Sequence, residues 1–254
     1  MSLGLGEACA VFAAGLGAGA VNSIAGAGSL ITFPTLIAVG YGSVVANVSN
    51  TIGLVPGSIA GAVGYRRELA GQAARVRTLL PFACIGAVVG GVLLLVLPQG
   101  VFRSIVPVLI LFGAALVLAQ PRVRAAMATR PARRAPVHVG IGTCLAIFAT
   151  AVYGGYFGAA QGVLLIGILG IGLPLGLHAI NGMKNVLAGA VNAVAAAYFA
   201  IAADVAWEPA GLLAVGSIIG GALGVRYGRR IPPAVLRWVI AVVGLGVAIA
   251  LLIE

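Results

Sequence analysis

Ten apolar runs follow one another along this chain, at 5–24, 28–40, 44–64, 79–97, 101–119, 137–158, 162–173, 178–203, 209–225 and 235–253, joined by short connections. Most are long enough to cross the roughly 30 Å hydrocarbon core of a bilayer as helices, and in lipid every backbone N–H and C=O has to be paired inside the structure. With 61% hydrophobic and only 8% charged residues, nothing is left over for a soluble domain. The chain reads as an all-α polytopic membrane protein. The second and seventh runs cover only about 17–20 Å at 1.5 Å per residue, which suits half-helices or re-entrant pieces.

The formal charge of +10 invites a nucleic-acid partner, but its distribution argues for a lipid bilayer instead. Arg66, Arg67, Arg75 and Arg77 share one connection, Arg122, Arg124, Arg130, Arg133 and Arg134 a second, and Arg226, Arg229, Arg230 and Arg237 a third. Such short basic clusters between apolar runs follow the positive-inside pattern and carry few aromatics for base stacking. Alternation then places 65–78, 120–136 and 226–234 in the cytoplasm and both termini outside, with Glu7, Asp204, Glu208 and Glu254 on the outer side. The expected setting is a bacterial-type inner membrane. No basic region precedes the first run and Glu7 stands where a signal peptide carries Lys or Arg, so that run is read as the first mature segment. Cys9, Cys84 and Cys144 have no metal-ligand spacing and read as packing residues. No metal or cofactor is implied.

Residues 18–65 laid over 152–199 expose a weak internal repeat: Gly28 falls on Gly162, Asn47 on Asn181, Asn50 on Lys184, Thr51 on Asn185, and the two short runs coincide. Each half holds five segments, so the halves would cross the membrane in opposite senses. The expected organisation is an inverted-topology repeat, 1–120 and 137–254, joined by a basic linker at 121–136. Proteins built this way bind their substrate near the midplane, where interrupted helices meet. The stretches "GAGAVNSIAGAGSLITFP" (17–34) and "YGGYFGAAQGVLLIG" (153–167) supply such interruptions, with Asn22, Ser23, Ser29 and Gln161 set among glycines.

Lys184 is the only lysine in the chain and lies within an apolar run. Asn181, Lys184 and Asn185 are spaced i, i+3, i+4, with His178 one turn earlier, so they share a helical face; Asn47, Asn50 and Thr51 repeat the spacing, with Ser49 beside them. One reading is a polar cavity between the halves, with Lys184 drawing in an anion and the amides donating around it. The other is a lysine that leans back to the cytoplasmic water about 10 Å away. His178 is either an interfacial residue or a proton carrier, and His138 resembles it. "GAGAVN" lacks the strand and the later acidic residue of a dinucleotide site. "IGAVVGGVL" (85–93) and "GSIIGGALG" (216–224) suit close helix packing. Pro34 and Pro56 kink helices or line a cavity, and Tyr41, Tyr65, Trp207 and Trp238 suit interfacial anchoring.

The glycine-rich break with its short Pro-containing helix, "AGAGSLITFPTLIAVG", followed by the polar helix "ANVSNTIGLVPGSIAGAVGYRREL", resembles the TauE/SafE family of sulfite exporters over nearly the whole chain. That resemblance implies passage of sulfite, organosulfonates or related sulfur anions, often outward. Family members commonly carry consecutive glycines at the first break, whereas this chain reads Gly26-Ala27-Gly28, and Ala159-Ala160-Gln161-Gly162 at the second. Each negative charge leaving a cell gains about 2.3 kcal/mol per 100 mV of membrane potential, so an anion exporter needs no other driving force. Apart from Glu7, at the outer start of the first run, no Asp or Glu lies inside a run to carry protons. The expectation is therefore a uniport-like carrier, not an enzyme; an anion channel and a proton-coupled importer stay open as alternatives, and so does the oligomeric state.

Overall fold

The computed structural model describes residues 3–128 and 139–227. The tenth expected segment (235–253), Trp238, Arg229, Arg230, Arg237, Arg130, Arg133, Arg134, His138 and Glu254 lie outside the described residues. The described residues form nine α-helices and no strand: α1 Leu5–Ile24, α2 Ser29–Ala38, α3 Ser43–Gly64, α4 Ala73–Val96, α5 Gln99–Ala128, α6 Ile141–Tyr156, α7 Gln161–Gly172, α8 Leu177–Ala202 and α9 Trp207–Tyr227. Five of them (α1, α4, α5, α8 and α9) are long and apolar enough to cross a bilayer. The protein is all-helical, as the unbroken apolar runs require.

Two boundaries differ from the sequence reading. α4 begins at Ala73, so Arg75 and Arg77 extend from its first turns instead of a loop, and Arg75 Nη1 donates to Gln72 Oε1 at the helix start (2.6 Å). α5 runs through Pro121 to Ala128, into the stretch assigned to the linker. Alanine and arginine are strong helix formers, and a helix that has left the apolar layer still propagates through them. Arg103, outside the three basic clusters, is exposed near the start of α5.

Small residues set the packing. A Cβ on Gly90 would lie 2.0 Å from the Val152 carbonyl oxygen, and one on Gly220 would lie 1.9 Å from that of Leu16. Gly86, Gly90 and Gly155 thus seat α4 along α6, while Gly15, Gly19, Gly216, Gly220 and Gly224 seat α1 along α9. Backbones approach this closely only where side chains are absent. Larger side chains of α4 (Ile85, Val88, Val89, Leu93) face outward, toward lipid. α3 packs along α9 through Gly53, Gly57 and Gly64, and runs antiparallel to α8, with Gly61 beside Asn185 and Gly189 beside Ser58.

At one end of the bundle Glu7 accepts from the Gly4 N–H (2.9 Å) and Glu208 from the Leu3 N–H (3.4 Å). Tyr41, between α2 and α3, shares this end; burial first, then the charges of Glu208 and Glu7, hold its phenol above the usual tyrosine range.

The chain breaks after α1 and after α6. Gly26 (φ +75°) turns the first break and Ala160 (φ +56°) the second, the latter being the only non-glycine with positive φ among the described residues. The breaks touch: the Gly162 N–H donates to the Gly26 carbonyl (3.0 Å), and a Cβ on Gly26 would lie 2.3 Å from Gly162 Cα. Gly26→Ala should therefore lower the thermal midpoint in detergent far more than Gly40→Ala. Gly40 has φ +98° but open space around it, so alanine there costs only the left-handed strain of about 1–2 kcal/mol.

Candidate functional site

Each break leaves helix-terminal carbonyls without intrahelical partners, and inside a membrane such groups need donors from elsewhere. At the end of α1 the donors come from α8. Lys184, wholly buried, places Nζ 2.7 Å from the Asn22 carbonyl oxygen and 3.0 Å from that of Ser23, and Asn185 Nδ2 adds a third bond to Ser23 at 3.3 Å. The negative end of the α1 dipole favours a cation there, by up to about 2 kcal/mol when partly buried. The ammonium thus points into the protein, not back to water.

At the end of α6 the donor comes from α3: Asn47 Nδ2 bonds the carbonyl of Tyr156, the last residue of that helix, at 2.9 Å. The overlay that pairs Asn47 with Asn181 also pairs Asn22 with Tyr156 and Gly26 with Ala160. Each polar helix therefore holds the break belonging to the other half of the chain. The sequence shows that the polar residues share spacing; the folded chain shows what they hold.

The expected residues do not form one ring. With Gly61 level with Asn185, Asn47 stands about 20 Å along the α3 axis from the Lys184 cluster at 1.5 Å per residue. Lys184 and Asn185 gather with Asn22 and Ser23, one helical turn from Asn181, and Asn22 Nδ2 donates to Ser58 Oγ (3.2 Å). Asn47, Asn50 and Thr51 gather at the other level, where the Thr32 hydroxyl donates to Asn50 Oδ1 and Thr51 donates to the Asn47 carbonyl (2.9 Å). Ser49 Oγ accepts from the Ala206 N–H (2.9 Å), tying α3 to the start of α9. Gly28 and Gly162 are packing positions at the breaks, the first against Ala18 and Asn22, the second against Gly26. Gln161 is buried against Gly154, and Ser29, half-buried, opens α2. His178 is exposed in the first turn of α8, apart from the buried face.

Four contributors escaped the sequence reading. Thr32 and Ser58 are the hydroxyl partners just described. Tyr153 donates its hydroxyl to the Ala159 carbonyl (2.6 Å) and steadies the second break. Ser217 donates to the Gly53 carbonyl (2.9 Å) across α3 and α9. Ser58 was within reach of inspection, since it continues the polar face of Asn47 and Asn50; isolated Ser217 gave no such sign. Three buried side-chain oxygens take no hydrogen bond among the described residues: Asn47 Oδ1, Asn181 Oδ1 and the Tyr156 hydroxyl. Among the described residues no group of His, Cys, Asp and Glu could hold a metal ion.

An all-helical membrane bundle whose broken helices meet at a buried polar face has the build of a membrane transporter. The chain belongs to the sulfite exporter TauE/SafE family, whose model matches residues 11–251. A "Probable membrane transporter protein" of Haemophilus influenzae is 24% identical over 89% of this chain and 87% of its own length. The "Probable membrane transporter protein YfcA" of Escherichia coli K12 is 25% identical over 82% and 76% respectively. No solved structure matches the chain. The protein is an integral membrane transporter.

Proposed function

We propose that this transporter exports sulfite or a related sulfur-containing anion, an organosulfonate or thiosulfate, from the cytoplasm across a bacterial-type inner membrane. The observation that carries this is Lys184, the only charged side chain among the described residues that is fully buried. A buried cation at the junction of two broken helices favours an anion over a neutral or cationic substrate.

The reading includes an inverted repeat, with residues 1–120 and 137–254 as its halves. What supports it is that exchanging α1 with α6, α2 with α7, α3 with α8 and α4 with α9 maps the neighbours onto one another: α1 along α9 becomes α6 along α4, and α3 along α9 becomes α8 along α4. The reciprocal capping of the breaks obeys the same exchange. Access alternates as the halves rock: when the Lys184 contact with Asn22 and Ser23 opens, the ammonium passes from those carbonyls to the anion, while Asn47 keeps its hold on Tyr156. The basic ends of α3, α5 and α9 face the cytoplasm and both chain ends lie outside in this arrangement. With the cytoplasm negative, the membrane potential drives the anion outward.

The test is efflux of sulfite from proteoliposomes, with charge moved per substrate counted at several pH values. Saturable, electrogenic flux with counterflow is expected. A fixed proton stoichiometry would overturn the uniport mechanism and reopen His178, and flux without saturation or counterflow would make the protein a channel.

A further inference from the structure

Asn47 and Asn181 coincide in the repeat overlay, both are at least nine-tenths buried, and the Oδ1 of each accepts no hydrogen bond among the described residues. For Asn47 the orientation is set by chemistry: its Nδ2 donates to the Tyr156 carbonyl, and turning the amide over would place oxygen against oxygen. Asn50, on the same helical face, has its Oδ1 satisfied by Thr32, and the other buried oxygen left unmet among the described residues, the Tyr156 hydroxyl, belongs to the residue whose carbonyl Asn47 holds. An unmet buried acceptor costs about 1–3 kcal/mol. Two at related positions mark a place where something with a donor belongs.

A fully deprotonated oxoanion has only acceptor oxygens and would set them against these amides. We infer that Asn181 Oδ1 beside Lys184, and Asn47 Oδ1 at the related level, each accept a hydrogen bond from a hydroxyl carried by the substrate. The substrate class is then a sulfur monoanion bearing its own O–H donor, hydrogen sulfite or a hydroxyalkanesulfonate. Lys184 supplies the charge and the amide oxygens read the hydroxyl. One such acceptor at each level means the same recognition is met on entry and on release. This rests on the sulfur-anion reading above and narrows it.

The discriminating pair is 2-hydroxyethanesulfonate against ethanesulfonate, which differ by one hydroxyl and share one charge, measured as competitors of sulfite binding to the purified full-length protein. The hydroxyl compound should bind about ten-fold tighter, one good hydrogen bond's worth. That ratio should stay flat with pH, whereas sulfite itself should bind more weakly as pH rises and its acid proton is lost. Asn181→Leu should bring the ratio to about one, and the wild-type ratio stands as a test even if that variant fails to fold. A wild-type ratio near one, as expected if ordered water fills the acceptors, overturns the inference and leaves the anion reading standing. Sodium-dependent binding without hydroxyl preference also overturns it, by assigning the oxygens to a cation. If no sulfur anion binds at all, both readings fall.

Discussion

Lys184→Met is expected to weaken anion binding about 100-fold while leaving the fold nearly as stable as before. Methionine fills much the same volume without burying a charge, and both capped carbonyls keep another partner: Asn22 accepts from the Gly26 N–H (3.0 Å) and Ser23 from Asn185 Nδ2 (3.3 Å). The lost capping and the relieved desolvation oppose each other, and swaps of buried charge for an apolar side chain of similar volume are often close to neutral. The stability change should therefore stay within about 1 kcal/mol. Binding has no such compensation, because truncating a desolvated charged contact costs about 2–5 kcal/mol, enough to weaken sulfite binding about 100-fold. Lys184→Ala should show the same binding loss together with about 3 kcal/mol of destabilisation, since it also opens a cavity. Calorimetric titration with sulfite alongside thermal unfolding in detergent separates these effects. A methionine variant that unfolds, or one that binds sulfite like the wild type, would make Lys184 a cap for α1 and nothing more.

Gly90→Ala and Gly220→Ala should be among the most damaging single-methyl additions to this protein. Their Cβ atoms would lie 2.0 and 1.9 Å from backbone carbonyl oxygens of α6 and α1, and backbone cannot step aside as a flexible side chain can. Each pair of helices must separate by more than 1 Å, which sacrifices dispersion contacts along the whole seam. The expected cost is at least about 3 kcal/mol for either variant, at the upper end of overpacking penalties. Gly17→Ala supplies the control: nothing lies near its Cβ, and alanine should stabilise α1 by up to about 1 kcal/mol. Thermal midpoints of the three variants decide the matter. Equal midpoints for Gly90→Ala and Gly17→Ala would mean that α4 and α6 do not pack as described.

Much of the candidate site was legible as residue type and spacing. Asn181, Lys184 and Asn185 were chosen because an apolar run does not retain such groups on one face without a partner, and all three are buried as that argument demands. Their partners were not legible. The carbonyls of Asn22, Ser23 and Tyr156 are backbone atoms, invisible to any reading of side chains, and they become acceptors only because α1 and α6 stop where they do. The same limit explains why Asn47 and Lys184 suggested a single cavity: repeat spacing states that two faces are alike, not that they are level. Thr32 escaped because a threonine in an apolar helix bonds its own backbone so readily that its side-chain bond to Asn50 carries no signature.

The amino-acid sequence alone determined that this chain enters a bilayer as helices, that two of the segments are short and glycine-broken, and that one cation and several amides are buried. These are local properties: insertion depends on the summed hydrophobicity of about twenty consecutive residues, and breaks depend on residues that tolerate unusual backbone. Only the tertiary structure decided that α4 turns Gly86 and Gly90 toward α6 and Ile85 and Val89 toward lipid, and that each polar helix caps the opposite break. The physical reason is that lipid tails and a protein interior are about equally apolar, so hydropathy does not distinguish the buried face of a helix from the exposed one. Steric fit and the pairing of backbone groups make that choice, and both exist only once the helices are in contact.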